Sequence, residues 1–243
     1  MEGPSLVILK EQIKEFKGKT VAEASGLSKL DYERMVGQKI KSFRSWGKHF
    51  LIEFKGFSLR IHFLMFGSYR INERKETEPR LRLTFTDGSE LNFYTTAVIE
   101  IDIPLDDVYE WSADVMSDAW DARRARKKLK SQPDTNVSDA LLDQDIFAGV
   151  GNIIKNEVLF RIKVHPDSIV GKLPPRKLTE LIDEARNYSF DFYHWKKLYQ
   201  LKKHWKIYTK KKCPRCNLKA FKEYTGKTQR RTFFCNNCQV LHD

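Results

Sequence analysis

Four cysteines, and no others, stand in two pairs near the end of the chain, "CPRC" (213–216) and "CNNC" (235–238). A CxxC pair on a tight turn brings two thiolates onto one ion, so Cys213, Cys216, Cys235 and Cys238 predict a closed zinc site with four thiolate ligands. Such a site folds a module and does no chemistry; a redox role would need only one of the pairs. The segment between them, with a Thr-Gly turn and flanking aromatics, has the pattern of a β-hairpin carrying Gln229, Arg230 and Arg231 at its end. Immediately upstream, the stretch from His194 to Lys212 holds eight lysines and no acid, interleaved with Trp195, Tyr199, Trp205 and Tyr208. Part of that stretch packs as a helix-like stripe, and the surplus lysine leaves a positive field suited to phosphate.

Two shorter motifs carry further chemistry. In "AGVGN" (148–152) two glycines permit a tight turn and Asn152 opens a helix, whose N-terminal N–H groups suit an anion. The same letters also fit an ordinary helix–helix turn with an Asn cap. The chain starts "MEGPSL", with an acid, a Gly and a Pro pressed against the first residue. Glu2 directly after Met1 predicts that Met1 is kept.

The elements that must position these residues change character along the chain. Pro4 suits a first helical turn, and Leu6, Leu9, Ile13 and Phe16 repeat at helical spacing up to Gly18. From about Gly37 the period becomes two, with strands at 50–54, 59–63, 81–85 and 90–94 separated by turns such as Lys55-Gly56 and Asp87-Gly88. A helix followed by short antiparallel strands predicts a β-sandwich or flattened barrel. Ser117 or Asp118 then caps a helix through "AWDARRARKKL". Helices at 138–147, 152–160 and 174–192 follow before the cysteine module. The fold class is α+β, with domains at 1–110, 111–212 and 213–243.

Composition narrows the partner. The 243 residues carry a formal charge of +12 and are 41% hydrophobic, which favours a polyanion such as DNA or RNA. No apolar run reaches the length of a membrane span, and Lys10 and Glu11 interrupt any secretory signal. With paired cysteines, this predicts an intracellular protein, nucleoid-associated in a bacterium, and no membrane partner.

Together the pieces resemble the formamidopyrimidine-DNA glycosylase / endonuclease VIII family. The resemblance rests on "EGP" (2–4), "WGKHFL" (46–51), "HFLMFG" (62–67), "LLDQDIFAGVGNIIKNEVLFRIKVHP" (141–166) and the cysteine finger with "RRTFFC" (230–235), in family order. It implies a two-layer β-sandwich, a helix–two-turns–helix domain and a zinc finger around a DNA cleft, in a monomeric base-excision enzyme acting on duplex DNA. By register it makes the α-amine of Met1 the nucleophile, Glu2 its acidic partner, Lys48 the strand-loop lysine and Arg230 the finger arginine. Met65 becomes the wedge that fills the space of a flipped base, and Asn152, Lys155 and Arg231 become DNA contacts. One structural Zn²⁺ is implied, since all four cysteines are present.

Within the family, "EGP", "FYTTAVIEI" (93–101) and the lack of a Gly-rich loop over 188–212 resemble the endonuclease VIII branch and favour oxidised pyrimidines over 8-oxoguanine. "HFLM" is closer to the other branch, and Leu64 and Glu110 stand where polar or basic DNA contacts are expected. The departure that matters most is Met1, where the family usually has Pro. A second reading is therefore a relative that binds damaged DNA without cutting it.

Overall fold

Helix α1, Gly3–Gln12, starts one residue before Pro4, and a short 3-10 turn, Lys14–Phe16, completes the apolar stripe. Leu6, Leu9, Ile13 and Phe16 of that stripe are fully buried. The computed structural model describes all residues from Met1 to Asp243 and divides into two units. The first holds Met1 and Ser5–Glu110; the second holds Glu2–Pro4 and Trp111–Asp243.

In the first unit, β1 (Val21–Ser25), β2 (Ser42–Trp46), β3 (His49–Glu53), β4 (Ser58–Ile71), β5 (Leu81–Phe85) and β6 (Glu90–Ile101) form one antiparallel sheet in the order β1-β5-β6-β4-β3-β2. The register places Phe50 opposite Ile61 and Ile61 opposite Val98. Val98 lies about 17 Å from Phe93 along an extended strand. Yet the Phe50 and Phe93 rings are 6.3 Å apart. The sheet therefore folds over itself, giving the two-layer sandwich that the resemblance implies, around a core shared by α1 and both layers. β1 lies before the change of period at Gly37, and its alternation is weak because Val21 alone is buried there. The short 4-residue α2, Leu105–Val108, ends the unit.

β4 and β6 are the longest strands, and their register shifts between Phe63 and Ser68. At Gly67 a Cβ would come within 2.9 Å of the Thr95 carbonyl oxygen, so the two backbones can approach only because the residue is glycine. Leu64, Met65 and Phe66 lie in that irregular segment, between the two paired stretches of β4, and are exposed.

The second unit is helical: α3 (Ala122–Lys130), α4 (Val137–Leu142), α5 (Gln144–Phe147), α6 (Asn152–Arg161) and α7 (Pro175–Lys197) surround a core that includes Leu129, Leu141, Phe147, Val158 and Tyr188. α3 begins later than its expected cap. Ser117–Trp120 makes tight turns, Trp120 stacks on Phe147, and Asp121 caps the helix by accepting the Arg123 and Arg124 N–H groups at 2.8 and 3.2 Å. The stretch expected as one helix over 138–147 is two, because Asp143 turns out of α4 and caps α5 through the Asp145 N–H. α7 continues to Lys197; of the aromatics expected to pack in part over this stretch, Trp195 and Tyr208 lie against cores while Tyr199 is 94% exposed. The hairpin β7 (Phe221–Thr225) and β8 (Arg230–Phe234) ends the chain's regular structure. No helix is long and apolar enough to cross a membrane.

Candidate active site and nucleic-acid interface

In the first unit the candidate residues Lys48 and Met65 sit at a turn and at an irregularity within a strand. Lys48 occupies the β2–β3 turn after Gly47, whose φ of +54° makes that turn possible. Beneath the turn is an aromatic cluster: Trp46 donates its Nε1–H to the Glu110 carbonyl, and Tyr109 packs on both Trp46 and His49. His49 and His62 are cross-strand partners with ring centroids 5.4 Å apart. His62 hydrogen-bonds the Lys48 backbone. Burial pushes the His49 imidazole down to about 4, helped by the charges of Arg60 and Lys48. Burial also lowers His62, followed by the positive α-amine of Met1. Both rings are therefore neutral at pH 7, and the chain's first nitrogen lies within electrostatic reach of His62. Sequence reasoning gave neither histidine a role; the repeated "HFL" of "KHFLI" and "IHFLM" was the available signal. Met65 is 77% exposed in the irregular middle of β4, followed by Phe66 with φ +73°.

In the second unit charge is held by a network. The Glu2 carboxylate accepts the Ile153 and Ile154 N–H groups, at 2.7 and 3.2 Å, and so caps α6. Gly3 N–H reaches the Gly149 carbonyl at 2.9 Å, and any Cβ at Gly151 would sit on the Glu2 side chain. Gly151 is thus accounted for by a close approach to Glu2, and Gly149 by a turn at φ +101°. The free helix N-terminus expected for a phosphate is already occupied by this carboxylate, and Gly151, not Asn152, is the N-cap. Helix dipole and donors together favour a negative Glu2.

Asn152 donates its side-chain N–H to the Arg231 carbonyl at 2.8 Å, and Asn156 accepts the Phe233 N–H at 2.6 Å. Both grips hold β8, whose Arg230 and Arg231 are exposed. Asp139 catches the hairpin turn through the N–H groups of Lys227 and Thr228, at 2.7 and 3.1 Å. Lys155 is fully buried, with Nζ 2.6 Å from Thr232 Oγ1, which is itself 2.7 Å from Thr225 Oγ1. The expectation that Lys155 contacts DNA is therefore corrected: a residue with no exposed surface in this network supports β8 from inside. Burial pushes its ammonium down to about 8, against the pull of the Asp139 carboxylate.

The four cysteine sulfurs lie within 4.8 Å of one another, and two cross-pair distances, Cys213–Cys238 and Cys216–Cys235, are 3.7 and 3.6 Å. A Zn–S bond of about 2.3 Å in a tetrahedron requires sulfurs about 3.8 Å apart. No disulfide competes. Burial and the neighbouring thiols push Cys238 up to about 12, a resistance to ionisation that a central cation removes. These residues fit one Zn²⁺.

Residues 2–96 match the formamidopyrimidine-DNA glycosylase N-terminal domain, and residues 112–188 match the formamidopyrimidine-DNA glycosylase H2TH domain. The chain belongs to the formamidopyrimidine-DNA glycosylase / endonuclease VIII family. It is 30% identical over 241 residues to Endonuclease 8-like 3 of Xenopus laevis, covering 90% of this chain and 38% of that protein. It is 32% identical over 197 residues to Endonuclease 8-like 2 of Mus musculus, covering 74% and 57%. The chain thus spans well under two thirds of these curated relatives. In fold it is similar to the Lactococcus lactis formamidopyrimidine-DNA glycosylase bound to DNA containing an AP site, with a TM-score of 0.85 at 22% identity over 98% of this chain and 99% of that one. Family membership, like the resemblance, is endonuclease VIII-like.

Proposed function

We propose that this family member is a bifunctional DNA glycosylase and AP lyase of base-excision repair, acting on oxidised bases in duplex DNA with pyrimidines preferred. The observation that carries this reading is the fixed Glu2 carboxylate, one peptide bond from the chain's first amine and held by two N–H groups of α6. An acid locked as a proton acceptor beside a primary α-amine is the pair that imine chemistry needs.

In the proposed reaction the unprotonated α-amine of Met1 attacks C1′ of the damaged nucleotide, and the glycosidic bond breaks with the electron pair leaving on the base. An α-amine has a lower ordinary pKa than a lysine, about 8 against 10.4, so more of it is nucleophilic at neutral pH. Loss of a proton from nitrogen and opening of the sugar ring give an iminium at C1′. That cation acidifies C2′; removal of a C2′ proton expels the 3′ phosphate, and a second elimination expels the 5′ phosphate. Water then hydrolyses the imine and returns the amine. Glu2 moves protons at the sugar. Lys48 and Arg230 neutralise the phosphates flanking the lesion. Met65, exposed and apolar, fills the space of the flipped base. Arg231 contacts backbone, while Asn152 acts by holding its carbonyl. The zinc-bearing module, 213–243, keeps Arg230 in place; 1–110 supplies amine and wedge, and 111–212 supplies Glu2's anchorage.

Cleavage of a duplex with a single abasic site tests the reading, with Glu2→Gln as the control. Strand scission by the parent protein, reduced at least about 100-fold in the variant, is expected. Tight binding with no scission by the parent would instead favour the non-cutting relative.

A further inference from the structure

Helix α3 carries six basic residues among its nine, "ARRARKKLK", and no acid. Its core face is Ala125 and Leu129, both fully buried. Arg124 and Arg126 turn to neutral acceptors of the same unit, the Asp145 carbonyl at 2.9 Å and the Thr179 hydroxyl at 2.7 Å. Arg123, Lys127 and Lys130 are exposed on one stripe, at positions i, i+4 and i+7, and no carboxylate forms an ion pair with any of them. Arg161, Arg176 and Lys177 of the same unit are by contrast matched with acids: Arg161 bridges Glu184 and Asp191, and Arg176 and Lys177 share Glu180.

This imbalance works against the helix. Arg123–Lys127, Arg124–Lys128 and Arg126–Lys130 are like charges one turn apart, which destabilise a helix as opposite charges stabilise it. The helix dipole offers only about half a negative charge at the C-terminal end. The Asp121 cap adds one carboxylate at the other end. A row of cations with no internal counter-charge calls for an external one that is also a row. The exposed stripe rises about 10 Å from Arg123 to Lys130. That length spans about three phosphates of one duplex strand.

We propose that the Arg123–Lys127–Lys130 face of α3 is an auxiliary site for the phosphate backbone of duplex DNA, separate from the residues that handle the lesion. The proposal rests on the reading of the chain as a DNA-repair enzyme but not on its catalytic assignments. α3 packs on α5 and α7, whereas Glu2, Asn152 and Arg230 gather on α6 and β8. Phosphate contacts carry no sequence information, so the face binds without sequence preference and holds the protein on undamaged DNA.

The test compares the parent protein with the variant R123Q/K127Q/K130Q on a lesion-free duplex of about 40 base pairs, reading affinity by fluorescence anisotropy across about 0.05 to 0.2 M salt. Loss of three phosphate contacts should flatten the slope of log K against log salt by about 2 to 3 and weaken binding roughly tenfold or more at the low-salt end. R123K/K127R/K130R, which keeps every charge, should keep the parent slope. On a short duplex holding only the abasic site and its nearest neighbours, the glutamine variant should cleave at the parent rate under saturating single-turnover conditions. It should also melt no lower than the parent, since glutamine is a comparable helix former and relieves repulsion. An unchanged slope in the glutamine variant would overturn the proposal, as would loss of slope in the charge-keeping variant or a preference of the α3 face for single-stranded RNA. Failure of the parent to cleave the abasic duplex would overturn the catalytic reading instead, while the slope still reports on α3.

Discussion

The turn that carries Lys48 and the strand that carries Arg230 present the same charge with different support. Lys48 stands on a two-strand turn over aromatic rings and two neutral histidines. Arg230 stands on a strand whose edge is gripped by Asn152, Asn156 and a buried lysine, with Asp139 fastening the turn before it. The first region uses stiff apolar contacts and keeps charge away from its interior. The second encloses charge and satisfies it bond by bond. A buried polar network fixes position closely but depends on every member, whereas an aromatic platform tolerates change at its rim.

The largest break in this comparison should come from the metal. Chelation, or Cys216→Ser, removes the closure of the finger, so abasic-site cleavage should fall to near background. Circular dichroism should show loss of finger structure with the first unit still folded. Next is Asn156→Leu, which leaves the Phe233 N–H without its acceptor and should cost about 2 kcal/mol in denaturant unfolding. Its effect on cleavage should exceed that of any single aromatic change beneath Lys48.

Lys155 sharpens the contrast through pH. Its folded pKa of about 8 lies below the ordinary 10.5, so the folded state resists the proton that the unfolded state keeps. The penalty is full below about pH 8 and is relieved as pH rises toward 10.5, so stability relative to Lys155→Met should increase over that window. The full change is on the order of 3 kcal/mol. His49 acts at the other end. Its pKa of about 4 against 6.5 means that stability is present above 6.5 and is lost as pH falls toward 4. His49→Phe should flatten that limb of the denaturation curve. The smallest expected effect on the fold is Met65→Ala. Being exposed, the side chain should leave melting unchanged within about 0.5 kcal/mol. Binding to lesion-bearing duplex should nevertheless weaken about tenfold, by loss of a buried wedge contact.

The sequence showed much of this arrangement because its strongest signals are local. Paired cysteines, period-two strands and the helical stripe of α1 each arise within a few residues. What it hid depends on partners far apart in the chain. Glu2 caps a helix that starts 150 residues later, and nothing in "AGVGN" announces that the anion at its helix is a side chain rather than a phosphate. Lys155 reads as a surface cation in a basic chain; only the meeting of α6 with β8 buries it. The histidine pair is formed by strand register, which a repeated "HFL" suggests but cannot align.

Borohydride trapping on an abasic-site duplex, with the cross-linked peptide identified by mass spectrometry, tests the central claim most directly. An adduct on the α-amine of Met1, abolished when that amine is blocked, is the predicted result. An adduct on Lys48, or none under conditions where the strand is cut, would contradict it.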